Sequence, residues 1–254
     1  MRLQDKVVVI TGAGAGMGRA MAHRFAKEGA KLVVGEIDRA RLDAVVAEVQ
    51  AAGGTITGIV GNVAQKDDAE KLIQTAIDTY GKLDALMNNA GVMDNFEGIA
   101  NFSDAQYQRV FGVNVYGPMV LSSAAVRFMK DHGGGSIVNV ASAAGVGGAS
   151  AGAIYTASKH AVIGLTRNTA FTYAVSGIRC NAIVAGAVNT SIGTSMDPSK
   201  MDQEAFARYS KYHALIPGQL EPEDIANLAL FLASDESKMI NGALVAADGG
   251  WRAA

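Results

Sequence analysis

A β-branched run that stops abruptly at a cluster of glycines limits the possible folds of this chain more than any other feature. Lys6 to Thr11 reads K-V-V-V-I-T, and Gly12-Ala13-Gly14-Ala15-Gly16-Met17-Gly18 follows at once. An unbroken apolar run belongs to a strand covered on both faces, as in a parallel sheet between helical layers. The pattern then predicts a helix from about Arg19 to Glu28, ended by Gly29, and a second apolar strand from Lys31 to Gly35. Together these make one strand–helix–strand unit. Glycines at its first turn let the backbone bend tightly and approach a ligand. The helix N-terminus behind them offers free N–H groups and a positive dipole end to a pyrophosphate.

The alternation continues along the chain. A helix is expected from Arg39 to Ala52, a strand from Thr55 to Val60, a helix from Asp67 to Tyr80 and a strand from Leu83 to Met87. Asn88-Asn89-Ala90-Gly91 then leads into a loop, Val92 to Ala100, at the carboxyl ends of the strands. Ser103 is the expected N-cap of a long helix that runs past Asn114 to about Lys130, bent at Gly117-Pro118. A strand from Ser136 to Val140 delivers Ser142 into the loop after it. A helix from Ala153 to Val175, a strand from Gly177 to Val184, a helix from Pro222 to Ala233 and a strand from Ala243 to Ala247 complete the count. Residues 190–217 read as irregular or weakly helical, too long for a passive connection, and are expected to form an active-site lid. The expectation is a single domain over residues 1–254: an α/β three-layer sandwich with a seven-stranded parallel sheet and helices on both faces.

Composition excludes some classes of function. The formal net charge is −2 and 49% of residues are hydrophobic, so nothing favours nucleic acid or an anionic membrane as partner. No apolar run reaches the roughly 18 residues needed to cross a bilayer. The N-terminal residues lack the regions of a signal peptide, so the chain is expected to be soluble and cytoplasmic. Cys180 is the only cysteine and is expected to be a buried apolar residue in a reducing compartment. His23, His132 and His213 show no metal-ligand spacing, no metal is expected, and His160 is taken as structural.

Two sets of residues carry candidate chemistry. Tyr155 and Lys159 are four apart, which on a helix stacks them on one face, and a nearby cation is expected to lower the phenol's pKa. Glu36 lies 18 residues after Gly18, at the end of the second strand. A carboxylate there accepts from both ribose hydroxyls and repels a 2′-phosphate, which favours NAD over NADP. Asp38 is a second acid nearby, and Arg39 is the cation that could meet a phosphate.

Over essentially its whole length the chain resembles the short-chain dehydrogenase/reductase family, of Rossmann-like fold. Thr11-Gly12-x-x-x-Gly16-x-Gly18 resembles its cofactor loop and Asn88-Asn89-Ala90-Gly91 its motif after the fourth strand. Asn114, Ser142, Tyr155 and Lys159 match its four catalytic positions. The resemblance implies hydride transfer between nicotinamide and a carbinol or carbonyl carbon. Tyr155 would be the acid/base, Lys159 would tune it and hold the ribose, and Ser142 would orient the substrate oxygen. Asn114 would hold a relay water. Gly12, Ala15, Gly16, Met17, Gly18, Glu36, Asn62, Val63, Asn89, Ala90, Gly91, Gly186, Val188 and Thr190, with Tyr155 and Lys159, would surround the cofactor. Two departures stand out: Asn62-Val63 where many members have Asp-Val, and Ala185-Gly186 where members usually have Pro-Gly. The second implies a softer loop toward Val188 and Thr190, since a lost proline frees the unfolded backbone by roughly 0.4–1 kcal/mol.

Met93, Ala144, Met196 and Tyr212 are the expected substrate-pocket residues, with Asn95, Phe96, Tyr209 and His213 as further candidates. Small and apolar residues at Ser122 to Ala125 and Ala161 to Leu165, with the resemblance, imply a homotetramer through the two long helices, and Trp251 is expected at a subunit contact. The leading reading is an NAD-dependent dehydrogenase of a secondary alcohol, whether sugar, polyol, cyclic or steroid-like. The alternatives are an NADPH-linked reductase of 3-oxoacyl carrier-protein thioesters and a non-catalytic cofactor-binding regulator or scaffold on the same fold.

Overall fold

The structure is a computed structural model and describes residues 1–253. One parallel sheet of seven strands runs in the order β3-β2-β1-β4-β5-β6-β7. The strands are β1 (Val7–Thr11), β2 (Lys31–Glu36), β3 (Thr55–Val60), β4 (Ala85–Asn88), β5 (Gly135–Val140), β6 (Ile178–Ala185) and β7 (Leu244–Ala247). The helices are α1 (Gly16–Lys27), α2 (Arg39–Ala51), α3 (Lys66–Tyr80), α4 (Asp104–Phe111), α5 (Gly117–Met129), α6 (Ala153–Tyr173), α7 (Gln203–His213) and α8 (Pro222–Ala233). The expected fold class is the observed one. No helix among the described residues is long and apolar enough to cross a membrane.

The apolar strands are explained by two separate cores. Val8 and Ile10 of β1 and Leu32 and Val34 of β2 point into one, with Met21 and Phe25 of α1 and Ile225 and Leu230 of α8. Val7, Val9 and Val33 point into the other, with Leu72 and Ile73 of α3 and Leu121 and Met129 of α5. Side chains alternate along a strand, so a strand covered on both faces must be apolar at every position. Each fully buried side chain of this size contributes about 1.5–3 kcal/mol. The sheet order reverses between β1 and β4, which opens a crevice at their carboxyl ends.

The long helix through Asn114 differs from its expected form. It is α4, then a π turn over Gly112–Tyr116, then α5. Pro118 has no N–H to give the carbonyl four residues earlier, which is that of Asn114, so an α ladder cannot run through this point. Gly117 is needed because an added Cβ would lie 3.0 Å from the Val63 carbonyl oxygen. Ser103 caps α4, accepting from the Gln106 N–H. The segment expected to be irregular or weakly helical contains α7, whose N-cap Asp202 accepts from the Ala205 N–H.

Candidate active site

A cavity of about 510 Å³ opens at the crevice. Gly12, Ala15, Gly16, Met17, Glu36, Asn62, Val63, Asn89, Ala90 and Gly91 line one end. Ser142, Tyr155, Lys159, Gly186, Val188 and Thr190 line the rest, with residues of the 190–217 segment. Thus most of the predicted cofactor residues converge on one space. Gly18 does not line it. Its role is packing: a Cβ there would sit 2.1 Å from the Gly12 carbonyl oxygen.

The glycine loop is tied to the Asn88-Asn89-Ala90-Gly91 motif by side chains. The Thr11 hydroxyl accepts from the N–H groups of Asn89 (3.0 Å) and Ala90 (3.1 Å). Asn89 Nδ2 donates to the carbonyls of Thr11 (2.9 Å) and Gly12 (3.2 Å). Its Oδ1 is buried and has no hydrogen-bond partner. Gly12 and Gly16 hold left-handed φ values of 63° and 49°. The N-cap of α1, Ala15, has no side chain that could occupy the helix's first N–H groups. A cradle of this kind suits a dinucleotide pyrophosphate.

Glu36 is nearly buried and its carboxylate already accepts three backbone N–H groups. Oε2 takes Gly14 at 3.0 Å, and Oε1 takes Ile37 at 3.0 Å and Asp38 at 3.1 Å. Two carboxylate oxygens offer about four acceptor positions, so Oε2 keeps one facing the cavity. Asp38 is occupied as the N-cap of α2. The cation beside Glu36 is Arg41, which lines the cavity, while Arg39 faces Asp43 at 3.6 Å. Sequence spacing singled out the wrong arginine because the turn before α2 rotates Arg39 outward. Asn62 Oδ1 accepts from Ala64 N–H at 3.0 Å, leaving the amide nitrogen for the cavity. The segment after β6 is well supported despite Ala185. Gly186 N–H donates to Ala247, Leu220 N–H to Ala187 and Asn189 N–H to Leu220, each at 2.8 Å. Backbone bonds on both sides thus tie down the segment that follows Ala185.

Tyr155 and Lys159 share a face of α6, and Lys159 Nζ lies 5.5 Å from the tyrosine ring centre. Lys159 Nζ donates to the Val140 carbonyl at 2.9 Å. Burial lowers the lysine to about 8. Burial raises the Tyr155 phenol to about 12, against the pull of a hydrogen bond with Ser142 and with a further push from the Asp94 charge. In the chain alone desolvation therefore sets the net shift of the phenol, which is upward. Ser142 Oγ also accepts from the Ala144 N–H at 3.2 Å, which fixes the serine on the turn after β5.

Asn114 is buried behind the cavity wall. Its Oδ1 accepts from Val92 N–H at 2.9 Å, and its Nδ2 donates to Val92 O at 2.9 Å and Ser158 Oγ at 3.1 Å. The side chain is committed to these groups, and Pro118 has no N–H to offer the Asn114 backbone carbonyl, which makes that carbonyl the part of Asn114 suited to hold water.

Of the four pocket candidates, Met93 lines the cavity and the other three do not. Ala144 and Met196 pack with Phe96, Ala151 and Tyr155 behind the wall. Tyr212 stacks on Trp251 with ring centres 4.7 Å apart. Trp251 donates from Nε1 to the Tyr212 carbonyl at 3.1 Å and is buried within its own chain, where it lines the cavity. In place of the expected subunit contact, the indole packs on α7 of its own chain. Phe96, Ser150, Ile192, Ser195, His213 and Ile216 complete this side. His213 Nε2 is 3.0 Å from the Ser150 carbonyl, and Ser195 Oγ accepts from Met93 N–H at 3.0 Å. Asp94, Arg41 and Ser150 carried no expectation from the sequence, and only Asp94 had a signal: an acid three residues past the Asn-Asn-Ala-Gly motif.

Comparison with known proteins bears on this arrangement. A family model described as enoyl-(acyl carrier protein) reductase matches residues 12–252. A 3β-hydroxysteroid dehydrogenase 2 of Eggerthella lenta is 38% identical over 253 residues, covering 99% of this chain and 96% of its own. A 3-oxoacyl-[acyl-carrier-protein] reductase of Thermotoga maritima is 36% identical over 252 residues, covering 98% and 99%. The crystal structure of a levodione reductase superposes with a TM-score of 0.90 at 33% identity, covering all of both chains.

Proposed function

The chain belongs to the short-chain dehydrogenase/reductase family, and we propose that it interconverts a secondary alcohol on a bulky, largely apolar ring system with its ketone, using NAD(H). The observation that carries this reading is one cavity joining the glycine cradle and Glu36 at one end to Ser142 and Tyr155 at the other. The cofactor fits the residues present: the N–H groups at the start of α1 have no side-chain cap, and Gly12 and Gly16 let the backbone approach it closely. When bound it supplies or accepts the hydride.

The protein's own groups move the proton and orient the substrate. Ser142 holds the substrate oxygen. The Tyr155 phenol, protonated at neutral pH, gives its proton to that oxygen in ketone reduction and takes it back, as phenolate, in alcohol oxidation. Lys159 holds the ribose side, and its positive charge favours the phenolate against the burial that opposes it. The Asn114 carbonyl carries the water that refills the proton. Glu36 favours the unphosphorylated ribose. Val92, Met93, Phe96, Ile192, Ile216 and Trp251 make the substrate side apolar, which fits a cyclic or steroid-like alcohol better than a sugar or polyol. Two of the relatives are named for a hydroxysteroid and for levodione.

We also propose a homotetramer, formed through α5 and α6, and a reducing cytoplasmic setting. Tyr107, Tyr116 and Met119 are exposed along α4, the π turn and α5. Light scattering tests the assembly, and a monomer would contradict it.

A second reading, NADPH-linked reduction of a 3-oxoacyl thioester, draws on Arg41 at the cavity edge and the carrier-protein reductase among the relatives. The experiment is a panel of cyclic and steroid alcohols with NAD and NADP in parallel, and an acetoacetyl thioester with NADH and NADPH. Turnover of ring alcohols with NAD supports the first reading. Thioester reduction with NADPH alone supports the second. Cofactor binding with no turnover would leave the non-catalytic role.

A further inference from the structure

The helix that carries Tyr155 begins without a cap of its own. Its N-cap residue, Gly152, has no side chain to accept from the first turn. The loop after β4 takes over this task. The Glu97 carbonyl accepts from Ala153 N–H at 2.8 Å. The Asp94 carboxylate accepts from Gly152 N–H at 3.3 Å, Tyr155 N–H at 2.8 Å and Phe96 N–H at 3.1 Å. Asp94 is 0% exposed. An anion is favoured at a helix N-terminus, and three backbone donors offset part of the cost of burying it, although burial still holds the carboxyl above its ordinary range.

Gly152 makes this contact possible. Its φ of −68° is one that any residue adopts, so the glycine is not required by the backbone. An added Cβ would instead lie 2.5 Å from Asp94 Oδ2. The helix has given up a side-chain cap of its own to admit a carboxylate from 61 residues away. The same turn holds the 190–217 segment: Asn95 Oδ1 accepts from Asp197 N–H at 2.9 Å, and the Asn95 carbonyl from Asp202 N–H at 3.3 Å. Phe96 between them is held at a left-handed φ of 59°.

We propose that Asp94 is a positioning residue for Tyr155: its buried carboxylate fixes the first turn of α6 where the phenol meets the substrate oxygen. The carboxylate charge also disfavours a second negative charge at the phenol. This rests on the dehydrogenase reading, and a wild-type protein without turnover would fail that reading before this one. The other charged or titratable groups around the turn are Lys159 on α6, Glu97 on the same loop, Arg109 on α4, and Asp197, Asp202, Tyr209 and His213 in the 197–213 segment.

The test is Asp94→Asn, which keeps the shape and removes the charge, with Gly152→Ala as a second variant that displaces the carboxylate. NADH affinity, read by fluorescence, stays at the wild-type value in both. With NADH and a ring ketone, kcat falls roughly ten- to a hundredfold, as expected for a misplaced reacting group. In Asp94→Asn the alkaline limb of kcat for reduction moves to lower pH, because an anion that held the phenol protonated is gone. Unchanged kcat in both variants overturns the proposal. So does a fall in kcat with the limb unmoved, which is what a merely structural residue would give. Should Asp94→Asn fail to fold, Gly152→Ala is read the same way: a fall in kcat with the alkaline limb displaced supports the proposal, and wild-type kcat or an unmoved limb overturns it.

Discussion

Lys159 and Tyr155 bury their polar ends one helical turn apart, with the ammonium nitrogen 5.5 Å from the ring centre. Neither group gains full compensation for leaving water. Burial brings the lysine down from 10.5 to about 8 and takes the phenol from 10.0 up to about 12. The pair is held by the packing of α6 against β5 and β6, and its cost is borne by the fold.

That cost has a pH signature. The folded lysine binds its proton less tightly than the unfolded one, so between about 8 and 10.5 the unfolded state holds more protons and stability contributed by this group rises with pH. Below about 8 the full penalty is present, on the order of 3 kcal/mol by the standard conversion. Lys159→Met is expected to unfold at a higher temperature than wild type at pH 7, with the gap closing toward pH 10, and to be inactive. Thermal unfolding at both pH values checks this. A gap that widens with pH would contradict it.

Removing the Glu36 charge is expected to change cofactor choice. Its carboxylate lies against Gly14 N–H and beside Arg41. In Glu36→Ala the arginine remains and the repulsion is gone, so kcat/KM with NADP relative to NAD rises by roughly tenfold or more, about 1.4 kcal/mol. Parallel initial rates with the two cofactors read the ratio, and an unchanged ratio would remove Glu36 from the account.

The layers were legible because their cause is local. β-branched runs such as Val7 to Ile10 and glycine stops such as Gly81 follow from what a covered strand and a left-handed helix end require. The cofactor end was legible for the same reason: Gly12, Gly16 and Glu36 act through backbone geometry and a charge at a strand end. The substrate side was not. Trp251 meets Tyr212 across 39 residues, and Asp94 meets Tyr155 across 61. Such contacts depend on how the 190–217 segment folds back, and no period in the chain encodes them. Arg41 took the place expected of Arg39 through a rotation of one short turn.

Trp251 should shape substrate choice. It lines the cavity and braces Tyr212 and His213 of α7. Trp251→Ala is expected to raise KM for a compact ring ketone by roughly tenfold while leaving KM for NADH within about twofold. Equal effects on both would point to a loosened fold instead.

Gly164 sits exposed within α6, with nothing within 4 Å of an added Cβ. In an isolated chain Gly164→Ala is therefore expected to stabilise by about 0.5–1 kcal/mol. In a tetramer joined through α6 the extra methyl meets a neighbour, and sedimentation shows dissociation. A more stable, undissociated protein would exclude this face from the assembly.

The most direct measurement compares wild type and Tyr155→Phe for NADH oxidation with a ring ketone, alongside NADH binding by fluorescence. The account predicts that the variant binds NADH as wild type does and loses turnover by about a hundredfold or more. Wild-type turnover in Tyr155→Phe would contradict it.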